Sequence, residues 1–430
     1  MKYYSTNKIS PVVSFEDAVV RGLAPDKGLY FPEEIKKLPK GLIGNNNSIH
    51  EIAFEVAKGF VDGEINDDRL QTIVEETLSF PTPIVPIEKD VFSLELWHGP
   101  TCAFKDVGAR FLARCLSYFV QKESRKVTIL VATSGDTGSA VANGFLGVEG
   151  IDVVILYPKG KVSKIQEQQL TTIGHNIAAL EVNGTFDDCQ RMVKSAFNDE
   201  SLYGKMNLSS ANSINVARFL PQSFYFFGAY EQLEDKKKPV AFSIPSGNFG
   251  NLTAGLFAQQ MGLPVEKFIA GTNVNDVVPE FLKTGVYRAR PSISTISNAM
   301  DIGDPSNFAR ILELYNNDFE AIKNALSAYA YTDKETAVAV KDIMDRTGYL
   351  AEPHGAIGYL ALKEYQKQSD CQGIVLETAH PAKFHDVVEP ILNQKIEIPE
   401  RLQEYLSRKK EAVLIDPNYE ALKSYLLNRN

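Results

Sequence analysis

The run Lys126-Val127-Thr128-Ile129-Leu130-Val131-Ala132-Thr133-Ser134-Gly135-Asp136-Thr137-Gly138 is a buried strand that breaks into a loop of hydroxyls and glycines, with a helix-compatible stretch over 139–146 behind it. From residue 127 the side chains are apolar or β-branched without alternation, so the strand must be covered on both faces, which is the habit of parallel sheets. The same unit recurs on the C-terminal side. A strand over 151–157 leads through Pro158-Lys159-Gly160-Lys161 into a helix over 163–173, and a strand over 177–182 leads into a helix near 187–197. Further strands are predicted at 239–244, 267–271 and 373–376. Strands alternating with amphipathic helices define an α/β chain whose parallel sheets carry helices on both faces.

Outward from this centre the composition changes. Residues 1–95 carry Val13-Ser14-Phe15, Gly28-Leu29-Tyr30-Phe31-Pro32 and two amphipathic helices around 48–60 and 65–79, and Phe80-Pro81-Thr82-Pro83 interrupts helix. After about 398 the chain is charged and reads as a helical surface cap. The 430 residues have room for roughly two or three domains. With 44% hydrophobic and 23% charged residues the chain has the balance of a soluble globular protein. A net charge of -9 argues against nucleic acid or an anionic membrane as main partner. The N-terminal residues lack the apolar core of an export signal, and no apolar run is long enough to span a bilayer. Four scattered cysteines without a CxxC pair suit a cytoplasmic, reducing location, and six histidines without ligand spacing give no reason to expect a metal.

Four segments have the composition of a site. Trp97-His98-Gly99-Pro100-Thr101-Cys102-Ala103-Phe104-Lys105-Asp106 sets Lys105 at a strand-to-helix turn ahead of a helix over 107–120. Helix-terminal N–H groups and burial there lower an amine's pKa, and a neutral amine can form a Schiff base with a carbonyl cofactor. Ser246-Gly247-Asn248-Phe249-Gly250-Asn251, between a strand and a helix, suits a phosphate, and lacks both the Walker and the GxGxxG spacing. The Ser134–Thr137 hydroxyls at a helix start suit a carboxylate or small phosphate, and Thr378, in Leu376-Glu377-Thr378-Ala379-His380-Pro381, offers a hydroxyl at a strand end.

Taken in order, these motifs, with Ser209-Ser210-Ala211-Asn212-Ser213-Ile214-Asn215 and Asn298-Ala299-Met300-Asp301-Ile302-Gly303, resemble the threonine synthases of the fold-type II pyridoxal-phosphate superfamily over nearly the whole length. The resemblance implies an N-terminal domain over 1–95. It implies a large cofactor-binding domain from 96–130 and 211–430, and a small mobile domain over 131–210. It makes Lys105 the lysine that holds pyridoxal 5'-phosphate and moves protons, Gly247, Asn248, Phe249, Gly250 and Asn251 the phosphate cradle, and Thr378 the partner of the pyridine nitrogen. Ser134, Gly135, Asp136 and Thr137 would grip the substrate α-carboxylate. The family's reaction turns O-phospho-L-homoserine and water into L-threonine and phosphate, the last step of threonine biosynthesis. Its dianionic tail needs a second anion pocket, for which Lys161, Ser210, Asn215 and Arg218 are candidates, with Asp301 and Asn307 behind them. The expected assembly is a monomer or dimer. A dehydratase or phospholyase would share the cofactor residues and release a keto acid. A nicotinamide oxidoreductase would need a GxGxxG turn, and a non-catalytic protein would have no use for two anion loops beside a buried lysine.

Overall fold

The computed structural model describes residues 1–123, 126–202 and 205–429. Two mainly parallel sheets dominate. The larger has six strands in the order Leu326–Ala330, Lys267–Thr272, Val240–Pro245, Gln372–Glu377, Val91–Glu95 and Ile84–Glu88, parallel except for the last pair. The smaller has five parallel strands in the order Val413–Ile415, Ile177–Val182, Ile151–Pro158, Val127–Ala132 and Asn207–Ser210. Every residue of Val127–Ala132, Val240–Pro245 and Gln372–Glu377 is buried, as continuous apolar runs between two helical layers require.

The helices start where local chemistry dictates. Ser163 and Thr185 close capping boxes with Gln166 and Asp188 ahead of Lys164–Thr171 and Phe186–Phe197. Ser223–Glu231, whose Phe226 packs on Phe242 and Phe268 of the large sheet, is buried from Ser223 through Tyr230, so it shows no polar face from which a helix can be read. Gly228 lets Ile49 of the N-terminal helix Ile49–Val61 close in, since a Cβ there would lie 3.1 Å from the Ile49 Cδ1.

The expected strands leave out several, among them Ile84–Glu88 and Asn207–Ser210, and three departures change the reading of the chain. Val91–Glu95, expected with the N-terminal 1–95 segment, pairs along its whole length with Gln372–Glu377 inside the large sheet. The tail after 398 is no mere helical cap. Val413–Ile415 extends the small sheet alongside Ile177–Val182, and Leu422 and Leu426 of Tyr419–Asn428 enter the core on that sheet. Covering an otherwise open sheet edge is the physical reason the tail returns there. Leu326–Ala330, an edge strand buried fully only at Leu326, was too amphiphilic to be read as a strand. Among the described residues no helix is long and apolar enough to cross a membrane.

Candidate active site

The carboxyl ends of both sheets open onto one cleft of about 790 Å³, the position at which parallel α/β sheets bind ligands. Lys105 is the first residue of the helix Lys105–Glu123 and lines the cleft, half-buried, its Nζ 5.5 Å from the Phe104 ring centre. Burial holds its amine below the ordinary lysine value; the Asp136 carboxylate opposes this, while the positive charges of Arg218 and Lys383 reinforce it. The loop that presents Lys105 is tightly held. Phe104 N–H donates to the Thr378 carbonyl at 2.8 Å and His380 N–H to the Cys102 carbonyl at 3.1 Å, across an antiparallel bridge between Ala103 and Ala379. Tyr225 hydroxyl donates to the Phe104 carbonyl. Buried Asp106 accepts from Thr101 N–H at 2.9 Å and from its hydroxyl at 2.6 Å. Gly99 is obligatory beside it, because a Cβ would lie 2.4 Å from the Asp106 Oδ2.

Facing Lys105, the turn from Val240–Pro245 into the helix Gly250–Met261 brings Gly247, Asn248, Phe249, Gly250 and Asn251 to the cleft wall. Phe249 is left-handed at φ 60°, and its ring is buried. Among the described residues, the N–H groups of 247–251 meet no protein acceptor. A row of unpartnered amides at a helix N-terminus is an anion cradle. Asn248 fixes its shape, donating to the Ser213 hydroxyl at 2.7 Å and accepting from Ser306 N–H at 2.6 Å. Asn307, also on Ser213 at 3.1 Å, is held by Arg310 at 2.6 Å. Thr378 lines the same cleft, and among the described residues its hydroxyl has no protein partner. The cradle, the free hydroxyl and the half-buried amine together fit pyridoxal 5'-phosphate, an aldehyde bearing a phosphate and a ring nitrogen.

On the small-sheet side, Thr133 shapes the turn by accepting from Gly135 N–H at 3.0 Å and Gly138 N–H at 2.9 Å. Ser134 and Thr137 line the cleft, whereas Gly135 and Asp136 do not. Asp136 points away: its carboxylate pairs with Lys383 Nζ at 2.6 Å and accepts from Gln166 at 2.9 Å. Burial works against its charge, but Lys383, Lys105 and these hydrogen bonds prevail and hold it well below the usual carboxylate range.

Of the four candidates for a second anion pocket, Ser210 and Arg218 line the cleft and Lys161 and Asn215 do not. Lys161 is exposed on the turn after Ile151–Pro158, where its ammonium keeps its water. Asn215 is fully buried and committed to the fold, donating to the Val19 carbonyl at 2.9 Å and the Ser210 carbonyl at 3.0 Å and capping the helix Val216–Phe219. Arg218, 2% exposed, donates to the Ala211 carbonyl at 2.8 Å, and its Nε has no partner. Burial lowers its guanidinium to about 10, still charged at neutral pH, and no carboxylate pairs with it among the described residues. Asp301 also lines the cleft, accepting from Thr295 and Asn273 at 2.7 and 2.9 Å, with its carboxyl lifted by burial to about 6.

Sequence reasoning overlooked Lys383, Arg310, and the pair Glu352 and His354. Each is a single polar residue without a local signature. Arg310 is completely buried, stacks 4.1 Å from the Phe219 ring centre, and donates to the carbonyls of Tyr30, Ser213 and Ile214. It thereby ties the N-terminal segment to the Ser213 support of the cradle.

A lysine, an amide cradle and a free hydroxyl on this two-sheet frame define a pyridoxal-phosphate-dependent enzyme, and the family described as pyridoxal-phosphate dependent enzyme matches residues 76–376. Residues 2–78 match the threonine synthase N terminus and residues 355–426 the threonine synthase C-terminal family. The chain is 43% identical over 433 residues to threonine synthase of Buchnera aphidicola from Acyrthosiphon pisum, covering 100% of both chains. The crystal structure of threonine synthase from Escherichia coli superposes with TM-score 0.94 at 40% identity, covering 100% of both chains. Pyridoxal-phosphate-bound threonine synthase from Brucella melitensis superposes with TM-score 0.92 at 36% identity, covering 100% of this chain and 99% of that one. The chain belongs to the threonine synthase family.

Proposed function

We propose that the protein converts O-phospho-L-homoserine and water to L-threonine and inorganic phosphate, the final step of threonine biosynthesis. One observation carries the choice of substrate: the cleft holds two separate places for anions, the 247–251 cradle and the unpaired Arg218 guanidinium. A dehydratase acting on serine or threonine needs only the cradle and a carboxylate site. A buried cation without a counter-charge is costly until an anion arrives, and the substrate's phosphate is such an anion.

In this reading the N–H groups of 247–251 would hold the cofactor phosphate, the Thr378 hydroxyl would donate to its ring nitrogen, and Lys105 Nζ would be its point of attachment. Once bound, pyridoxal phosphate draws electrons away from the substrate α-carbon. Ser134 and Thr137, whose hydroxyls face the cleft, take the α-carboxylate with the N–H groups at the start of the helix Asp136–Phe145. Lys105, when free, removes the α-proton and one β-proton, a task its lowered pKa suits; the balance then needs a proton delivered to the γ-carbon once phosphate has left, water added at the β-carbon and a proton returned to the α-carbon. Arg218, beside Ser210, holds the phosphate that departs from the γ-carbon.

Incubation of the protein with pyridoxal phosphate and O-phospho-L-homoserine should give threonine and phosphate in equal amounts. Phosphate with 2-oxobutyrate and no threonine would make it a phospholyase instead. Gly247→Ala should weaken cofactor binding by at least about tenfold in equilibrium dialysis, because a Cβ there would lie 2.7 Å from the Met300 Cα and displace the cradle. Unchanged affinity would remove 247–251 from the cofactor site. The four cysteines are buried and unpaired, which supports a cytoplasmic location; a monomer or dimer acting on a small molecule, without nucleic acid, completes the reading. Recovery from an oxidising compartment on cell fractionation would count against that location.

A further inference from the structure

The 299–303 segment lines the cleft, yet neither the cradle nor the second anion site accounts for it. We propose that Glu352 and His354 are a positioning pair that presses this segment onto the cofactor-phosphate cradle; the inference rests on the reading of 247–251 as that cradle.

The geometry runs in one continuous line. Glu352, wholly buried, caps the helix Pro353–Gln366 by accepting from His354 N–H at 2.8 Å and Gly355 N–H at 3.2 Å. The same carboxylate receives the Nδ1 of the His354 ring, which is 2% exposed and packed against Phe384 with ring centres 4.8 Å apart. On the other side of the ring, Nε2 faces the Ala299 N–H at 3.2 Å. An amide can only donate, so Nε2 must accept, and the ring proton sits on Nδ1 towards Glu352. Glu352 therefore selects the tautomer that can hold Ala299.

Ala299 and Met300 in turn form the surface on which Gly247 rests. A Cβ at Gly247 would come 2.7 Å from Met300 Cα and 2.9 Å from the Ala299 carbonyl oxygen, so the two backbones are in direct contact. A second tie holds the far side of the segment, where Asp301 accepts from Thr295 N–H at 3.0 Å and from Asn273 at 2.9 Å. Among the described residues the Ala299 N–H has only the His354 ring as its acceptor. Behind the pair, Gly355 makes room for a third carboxyl group, since a Cβ there would lie 2.0 Å from Glu377 Oε1. Burial, with the Glu352 and Glu95 carboxylates beside it, pushes the Glu377 carboxyl far above the usual range.

The test is cofactor affinity with and without the acceptor. Apo-protein is titrated with pyridoxal 5'-phosphate while the emission of Trp97, the one tryptophan, is followed; this residue lies in the loop that presents Lys105. In His354→Gln the side-chain oxygen can still accept from Ala299, and in His354→Leu nothing can. We expect Kd to rise at least about tenfold in His354→Leu and less than about threefold in His354→Gln, with both apo-proteins melting within a few degrees of wild type. Should His354→Leu fail to fold, Glu352→Gln carries the test, with Kd raised at least about threefold. Wild-type affinity in His354→Leu, or an equal loss in both His354 variants, would overturn the pairing. A wild-type protein that did not bind the cofactor would overturn the cradle and the pairing together.

Discussion

Lys105→Ala is expected to lower turnover of O-phospho-L-homoserine by at least about 10³-fold, near the middle of what a positioned acid–base group contributes, and to abolish the covalent link to the cofactor. Two tasks fall on one Nζ, so the loss cannot be divided between them. The site prepares this amine in a specific way. Burial is the main cause of its lowered pKa, Arg218 and Lys383 add like charge, and Asp136 pulls the other way. The cradle is untouched by the change, so pyridoxal phosphate should still bind without the covalent bond, detectable by dialysis but no longer trapped by borohydride. A variant within tenfold of wild-type turnover would show that another group moves the protons.

Lys383→Met should be the most destabilising single change near the cleft. The ammonium is completely buried, 2.6 Å from Asp136 Oδ1, and donates to the Thr101 carbonyl at 2.9 Å. Removing one partner of a buried ion pair strands the other, at about 3–5 kcal/mol. In a thermal melt of a chain this long that is a fall of roughly 3–6 °C. The pH dependence has a definite sign. Asp136 has its folded pKa depressed, so the pair's contribution is present above the unfolded carboxylate value near about 4 and fades as pH falls towards the folded value. The gap between wild type and Lys383→Met should therefore narrow on acidification below about pH 4. Adding Asp136→Asn to Lys383→Met should recover part of the loss at neutral pH, because no uncompensated charge then remains. A single variant that melts like wild type would mean that Asp136 finds another partner.

This ion pair also joins the two sheets. Asp136 opens the helix after a small-sheet strand, while Lys383 and Thr101 belong to loops leaving strands of the large sheet. Gln169, from the small-sheet helix Lys164–Thr171, reaches the same Thr101 carbonyl at 3.1 Å. The loop carrying Lys105 and the loop carrying Ser134 and Thr137 are thus held in one buried network. Any motion of one sheet against the other has to keep or break it.

Much of the site was legible along the chain because its chemistry is local. The small residues before Lys105, the glycines of 247–251 and the hydroxyls of 133–137 each sit where a strand ends and a helix begins, and all three loops line one cleft. Asp136 shows the limit of that reading. Its place in a loop of hydroxyls suggests contact with substrate, whereas its charge is spent on Lys383. Lys161 and Asn215 lie off the cleft for opposite reasons, one solvated on a turn and the other consumed as a helix cap. Neither fate is written in a residue's immediate neighbours.

The amino-acid order alone carried the parallel α/β architecture and the family, and it pointed to the lysine and the cradle as candidates, since continuous apolar strands and turn chemistry are short-range properties of the chain. Folding determined the rest. Which cation stays unpaired in the cleft, which carboxylate meets a buried lysine, which histidine nitrogen accepts, and where the tail extends a sheet all depend on partners distant in sequence. Burial then makes those choices binding, because a charge or an amide removed from water must find its counterpart in the folded protein or go without one.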